Sequence, residues 1–314
     1  MSHLIFRGTD RAFVLGLFLI FAASFPIELR AANQATLKIQ DSTIHVEFSS
    51  EPTEELRPLL LGWIARSARA VAIYYGQFPV KFLEIRVNLK EGRRITSGQT
   101  LGWNGPLIKI SAGLASTAST FSDDWEMTHE MTHLAFPGVA SSHHWIEEGS
   151  ATYVEPVARA RAGDLTPEKV WGDMLKGMRN GLPQSGDRGL DFTPTWGRTY
   201  WGGALFCLMA DIEIHRRTKN LKGLDDALRA ILKAGGNITR DWDLDRALDT
   251  GDRATGVNVL REMYDEWKAS PVMVDLNELW KNLGVIRDGR AIRFDDSAPM
   301  ASIRRAITAP NRTP

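Results

Sequence analysis

The sequence predicts an α+β fold: a small N-terminal sheet with helices, then a mainly helical C-terminal lobe. Three observations carry this. Apolar and polar residues alternate with period two in several stretches up to about residue 111. Beyond that point the apolar spacing is helical. The chain has 314 residues, 43% hydrophobic and 24% charged, which is the makeup of a globular protein able to bury a sizeable core. Lys+Arg and Asp+Glu stand at 38 each, so the chain lacks the basic field that nucleic acid requires, and nucleic acid is not an expected partner.

The N-terminus comes first. Arg7 and Arg11 precede an apolar run over Ala12–Ala23, too short for a comfortable membrane span and right for the core of a signal peptide. Residues 1–32 are therefore expected to direct export to the periplasm or outside the cell, with cleavage after Ser24 or near Ala31 and Ala32. The alternative is an uncleaved membrane anchor. Cys207 is the only cysteine, which rules out an intramolecular disulfide, and its apolar neighbours predict a role in core packing.

Residues 36–40 and 43–48 alternate around Asp41-Ser42 as a half-exposed hairpin does, with His45 on the polar face. Leu60, Trp63, Ile64, Ala68, Val71 and Tyr74 recur at helical spacing and predict a helix over 53–75. A strand over 82–89 and a turn over Glu91–Arg94 follow. Ile108 and Ile110 mark a strand within 106–111 that is available for pairing with an extended substrate, and Gly102 and Gly105 mark bending or close approach of another segment. Beyond residue 145 the pattern predicts helices over 145–155, 166–179, 199–217, 222–234, 255–269 and 275–283, a loop over 181–189, a short strand over 291–294, and a last helix from near Ser297.

Between the two halves lies Thr120-Phe-Ser-Asp-Asp-Trp-Glu-Met-Thr-His-Glu-Met-Thr-His133, read as one helix with Thr120 and Asp123 as its capping box and Pro137-Gly138 as its stop. His129 and His133, four apart, share a helical face, and Glu130 stands beside them. This is the arrangement of a zinc site with a general base, one zinc ion being the expected cofactor. A catalytic zinc takes a third protein ligand. Phe136 and Val139 exclude the metzincin continuation, leaving His143, His144, Glu147 and Glu148 nearby.

Trp145-Ile-Glu-Glu-Gly-Ser-Ala closely resembles the Trp-Leu-Asn-Glu-Gly-Phe-Ala segment of the gluzincin metallopeptidases, the clan of aminopeptidase N and the glycyl aminopeptidases. The resemblance implies that Glu148 is the third ligand, separated from His133 by fourteen residues, with Glu147 in the place of the family's Asn. Tyr200-Trp-Gly-Gly-Ala-Leu205 resembles the family's Tyr-x-x-Gly-Ala-Leu segment, which implies an oxyanion-stabilising role for Tyr200. It also implies a thermolysin-like, peptidase MA-like catalytic domain over 33–314, with an α/β lobe to about 138, a helical lobe from about 139, and a cleft between them. The Gly-x-Met-Glu-Asn motif that holds a free amine in the aminopeptidases has no counterpart. Leu101-Gly-Trp-Asn-Gly105 stands there instead, so internal cleavage remains open.

Taken together, the expectation is an exported zinc metallopeptidase acting on a peptide or protein. Glu130 is its base, Tyr200 its oxyanion donor, and His129, His133 and Glu148 its metal ligands. The alternative is a protein of gluzincin fold that binds without turnover. Glu126, Thr152 and Glu155 lie on faces from which they could orient the imidazoles.

Overall fold

The computed structural model describes residues 27–28 and 32–310. The expected signal peptide or anchor over 1–32 lies outside the described residues except at 27–28 and 32. Among the described residues no helix is long and apolar enough to cross a membrane.

A six-stranded mixed sheet opens the fold: β1 (Ile27–Glu28), β2 (Gln34–Ile39), β3 (Ser42–Phe48), β4 (Phe82–Lys90), β5 (Ile95–Leu101) and β6 (Leu107–Gly113), in the order β1-β2-β3-β4-β6-β5. The predicted hairpin is β2–β3, with Ile44, Val46 and Phe48 buried and His45 half-buried on the other face. The helix α1 (Leu56–Tyr75) crosses over to β4, which pairs parallel to β3; β6 pairs parallel to β4 in turn. A connection of helical length is what a parallel pair needs. Leu60, Ile64 and Val71 on α1 are buried with Ile85 and Ile108 of the sheet in one apolar core.

The structure corrects the expected edge. The strand within 106–111 is interior, bonded on both sides, and the outer position belongs to β5, which the sequence pattern did not reveal. The register of β5 shifts between Thr96 and Gln99, and Ser97 takes a positive φ of 64°. This bulge destroys the alternation by which a strand is recognised. At Gly102 the expected close approach is met, for a Cβ there would lie 2.0 Å from the Ile238 carbonyl oxygen.

The single helix expected from Thr120 to His133 is two: α2 (Ala118–Asp123) and α3 (Glu126–His133). The capping box belongs to Thr117 and Thr120, not to Thr120 and Asp123. Asp124 is extended, and its Oδ2 accepts from the Met127 backbone N–H at 3.2 Å and from Trp63 Nε1 at 2.8 Å. A side chain that satisfies the free donors of a new helix competes with continuing the old one.

The helical part comprises α4 (His144–Arg161), α5 (Pro167–Gly177), α6 (Gly203–Arg217), α7 (Leu224–Lys233), α8 (Leu244–Thr255), α9 (Val259–Trp267), α10 (Leu276–Leu283) and α11 (Ala301–Thr308), with the hairpin β7 (Val285–Asp288) and β8 (Ala291–Phe294). The helix α4 continues through Pro156, six residues past its expected end. The expectation over 255–269 corresponds to α9, while α8, which Gly256 ends with a left-handed φ of 76°, was not expected. The segment before α6 is a π-helical turn over Gly197–Gly202.

Candidate active site

The helices α3 and α4 bring the site together. His129 and His133 project from one face of α3, their Nε2 atoms 3.2 Å apart. Glu148, in the second turn of α4, places Oε2 at 3.2 Å from His129 Nε2 and 3.5 Å from His133 Nε2. All three ligand atoms lie within 4.8 Å of one another. Two imidazole nitrogens and one carboxylate oxygen converging on a point form the donor set of a catalytic zinc, and a cation there relieves the opposition of the two nitrogen lone pairs. Glu147 points elsewhere: its carboxylate accepts from the Val139 backbone N–H at 3.3 Å and lies 2.9 Å from His144 Nδ1.

The electrostatics agree with this grouping. Burial works to raise the Glu148 carboxyl, but the hydrogen bonds and charge of His129 and His133 outweigh it and hold the group far below the usual carboxylate range. Burial pushes the His129 imidazole down. At His133 the same burial is overcome by Glu148, and the imidazole is raised. Imidazole and carboxylate here stabilise one another against desolvation, which a shared cation would do more strongly.

Rings hold the His129 plane. Trp125 meets it edge-on with centroids 5.3 Å apart, and Tyr200 lies nearly parallel to it at 6.3 Å and 19°. The Nδ1 atom of His129 is buried and has no hydrogen-bond partner among the described residues. Tyr200 stands on the π-helical turn, and burial, followed by the charges of Glu148 and Glu130, raises its pKa.

These distances make a fold comparison informative. No protein-family model and no curated protein matches the sequence. Solved structures do match. An aminopeptidase N family protein from Idiomarina loihiensis aligns with a TM-score of 0.58 at 11% identity, over 83% of this chain and 49% of that one. Yeast LTA4 hydrolase aligns with 0.52 at 15%, over 77% and 40%. The M1 zinc metallopeptidase of Deinococcus radiodurans aligns with 0.50 at 17%, over 81% and 53%. The fold is that of the gluzincin metallopeptidases. This chain spans about half the length of those gluzincin-like neighbours or less.

Glu130, the remaining residue of the motif, is buried beneath β5. Thr100 Oγ1 donates to Glu130 Oε2 at 2.6 Å and lies 2.9 Å from the Glu130 carbonyl oxygen. A Cβ at Gly98 would fall 2.6 Å from Glu130 Oε1, so glycine is needed for the bulge to lie on this side chain. Sequence reasoning missed Gly98 and Thr100 because polar residues in a bulge carry no periodic signal. His144, one of the nearby ligand candidates, instead places Nε2 3.4 Å from Glu148 Oε1.

Other candidates disperse. His143 Nδ1 is 3.0 Å from Asp191 Oδ1, which also accepts from Trp145 Nε1 at 2.7 Å, while Tyr264 donates to Asp191 Oδ2 at 2.9 Å. Glu155 pairs with Arg159, not with an imidazole. A cavity of about 1020 Å³ opens from His129 and Tyr200 along α4 and is lined also by Trp125, Thr152, Glu155 and Trp201.

Proposed function

We propose that the chain is an exported zinc-dependent metallopeptidase whose catalytic domain covers residues 33–314, with residues 1–32 as its signal peptide. The observation that carries this reading is the convergence of His129 Nε2, His133 Nε2 and Glu148 Oε2 within 4.8 Å, with Glu130 on the same helix as the two histidines. The gluzincin-like fold supports it.

His129, His133 and Glu148 would hold one zinc ion. Bound zinc supplies Lewis acidity, which brings the pKa of its water toward neutrality. Glu130 would accept a proton from the attacking water and pass it to the departing amine. Tyr200, whose ring lies 6.3 Å from that of His129, donates to the scissile carbonyl oxygen as charge develops on it. Thr100 fixes the Glu130 carboxylate, and the edge strand β5 offers its open side to an extended peptide.

The test separates metal, base and fold. Purified protein should carry one zinc ion per chain and hydrolyse members of a broad peptide library, and chelator should abolish hydrolysis. In Glu148→Ala zinc content should fall well below one per chain. In Glu130→Gln zinc should remain while kcat drops about 100-fold or more. Stoichiometric zinc with no cleavage of any peptide would instead establish the binding protein.

A further inference from the structure

The metal triad and the base leave the cavity along α4 unused, and its lining is specific enough to read. Thr152, Glu155, Pro156 and Arg159 follow Glu148 on one face of α4 and form the floor. Trp125 and Trp201 also line it. The indole of Trp201 lies so close to α5 that a Cβ on Gly177 would fall 1.9 Å from its ring, which pins this wall in place.

A buried carboxylate lies along that floor. Glu155 is 7% exposed, and its Oε1 accepts from Arg159 Nη1 at 2.8 Å. Arg159 Nη2 is taken up by the Ser122 carbonyl oxygen at 2.7 Å. Glu155 Oε2 has no hydrogen-bond partner among the described residues, although the residue lines the cavity. The residue is buried, yet this oxygen opens on the cavity with no protein donor, so a ligand entering the cavity can donate to it in place of water.

Length and charge define that donor. Seven residues of helix separate Glu148 from Glu155, a rise of about 10 Å, which a residue beside the scissile bond spans with a phenol-sized side chain. The cavity is lined by Arg159, Lys169, Lys176 and Arg179 against the carboxylates of Asp123, Glu155 and Asp173, so its balance disfavours a cationic side chain. We infer that this cavity is a specificity subsite for tyrosine in the peptide, its ring held between Trp125 and Trp201 and its hydroxyl donating to Glu155 Oε2. The inference rests on the peptidase reading for its location beside the scissile bond.

The test uses zinc-loaded full-length protein and peptides identical except for Tyr, Phe, Leu or Lys at each position flanking the cleaved bond, assayed above the Glu155 pKa of about 7. At one flanking position the Tyr peptide should show kcat/KM about tenfold or more above the Phe peptide, since the two differ only in the donor. In the volume-preserving pair Glu155→Leu with Arg159→Met the Tyr-to-Phe ratio should collapse toward one. Glu155→Gln gives the same comparison if that pair does not fold. Affinities of the same peptides for zinc-loaded Glu130→Gln read the subsite without turnover. A Tyr preference in binding with no hydrolysis by wild type would keep the subsite and overturn the peptidase reading. Equal Tyr and Phe values in both assays, a preference for Lys, or a Tyr preference that survives in the Glu155 variants would overturn the subsite.

Discussion

Gly98 shows how one missing side chain shapes the site. Its bulge in β5 rests on the Glu130 carboxylate, where a Cβ would fall 2.6 Å from Oε1 and 2.8 Å from Cγ. Gly98→Ala must therefore displace the Glu130 carboxylate, the proposed base, or lift the strand. Its kcat should fall at least tenfold with zinc content unchanged, as metal analysis and steady-state kinetics would show, because small displacements of a reacting group are costly. Thr100 acts on the same carboxylate through its hydroxyl. Thr100→Val should lower kcat about tenfold with KM little changed, and Thr100→Ser should restore it, since a hydrogen bond to a charged acceptor contributes about 1.5–3 kcal/mol. If serine fails to rescue, packing and not the hydroxyl is what matters at this position.

Among the elements, α4 and α6 set the position of the third ligand. They cross where Gly149 faces Gly203: a Cβ on Gly149 would lie 2.3 Å from the Gly203 Cα, and one on Gly203 would lie 2.1 Å from the Trp145 carbonyl oxygen. Only glycine lets the two backbones approach so closely. Because Gly149 follows Glu148 directly, Gly149→Ala should cost about 3 kcal/mol in urea unfolding and also weaken zinc binding in a competition titration. A variant of wild-type stability and zinc affinity would remove this crossing from the account. At the same scale, the break at Asp124 separates two short helices, so α3 takes its direction from its own cap and from Trp63 of α1.

At the scale of the whole molecule, burial at the centre gives stability a pH dependence. Burial pushes the Glu155 carboxyl up to about 7 despite the charge of Arg159. An acid that holds its proton more tightly folded than unfolded favours the folded state fully below its ordinary pKa of about 4.5, and that advantage disappears as pH rises past the folded value. The Glu155 contribution should thus decline between about pH 4.5 and 7. Denaturant unfolding of wild type and Glu155→Gln across this window should show the wild type losing stability relative to the variant as pH rises. A constant difference would contradict the raised value.

The same scale separates what the residues told from what they concealed. The His129-Glu130-x-x-His133 spacing is a local property of a helix, and the amphipathic patterns of α1, α5, α7 and α10 depend only on which face is apolar, so these were legible. Glu148 was reached through a short segment resembling gluzincins; in the fold its carboxylate lies beside the two imidazoles, while that of Glu147 accepts from the Val139 backbone N–H. The bulged edge strand β5, the break at Asp124, the helix α8 and the hairpin partner β7 were not legible, because each depends on side chains or backbone distant in the chain or interrupts the period by which elements are recognised.

By itself, then, the sequence determined a helix bearing two imidazoles and a carboxylate, a nearby segment offering a third ligand, and a division into a sheet-bearing first part and a helical second part. Only the tertiary structure decided that Glu148 meets the imidazoles while Glu147 turns away, that β5 and not β6 is the edge lying over Glu130, and that Trp125, Glu155 and Trp201 border one cavity. The physical reason is range: helical period and capping act over a few residues, whereas the approach of Gly149 to Gly203 and of Gly98 to Glu130 joins segments that only packing brings together.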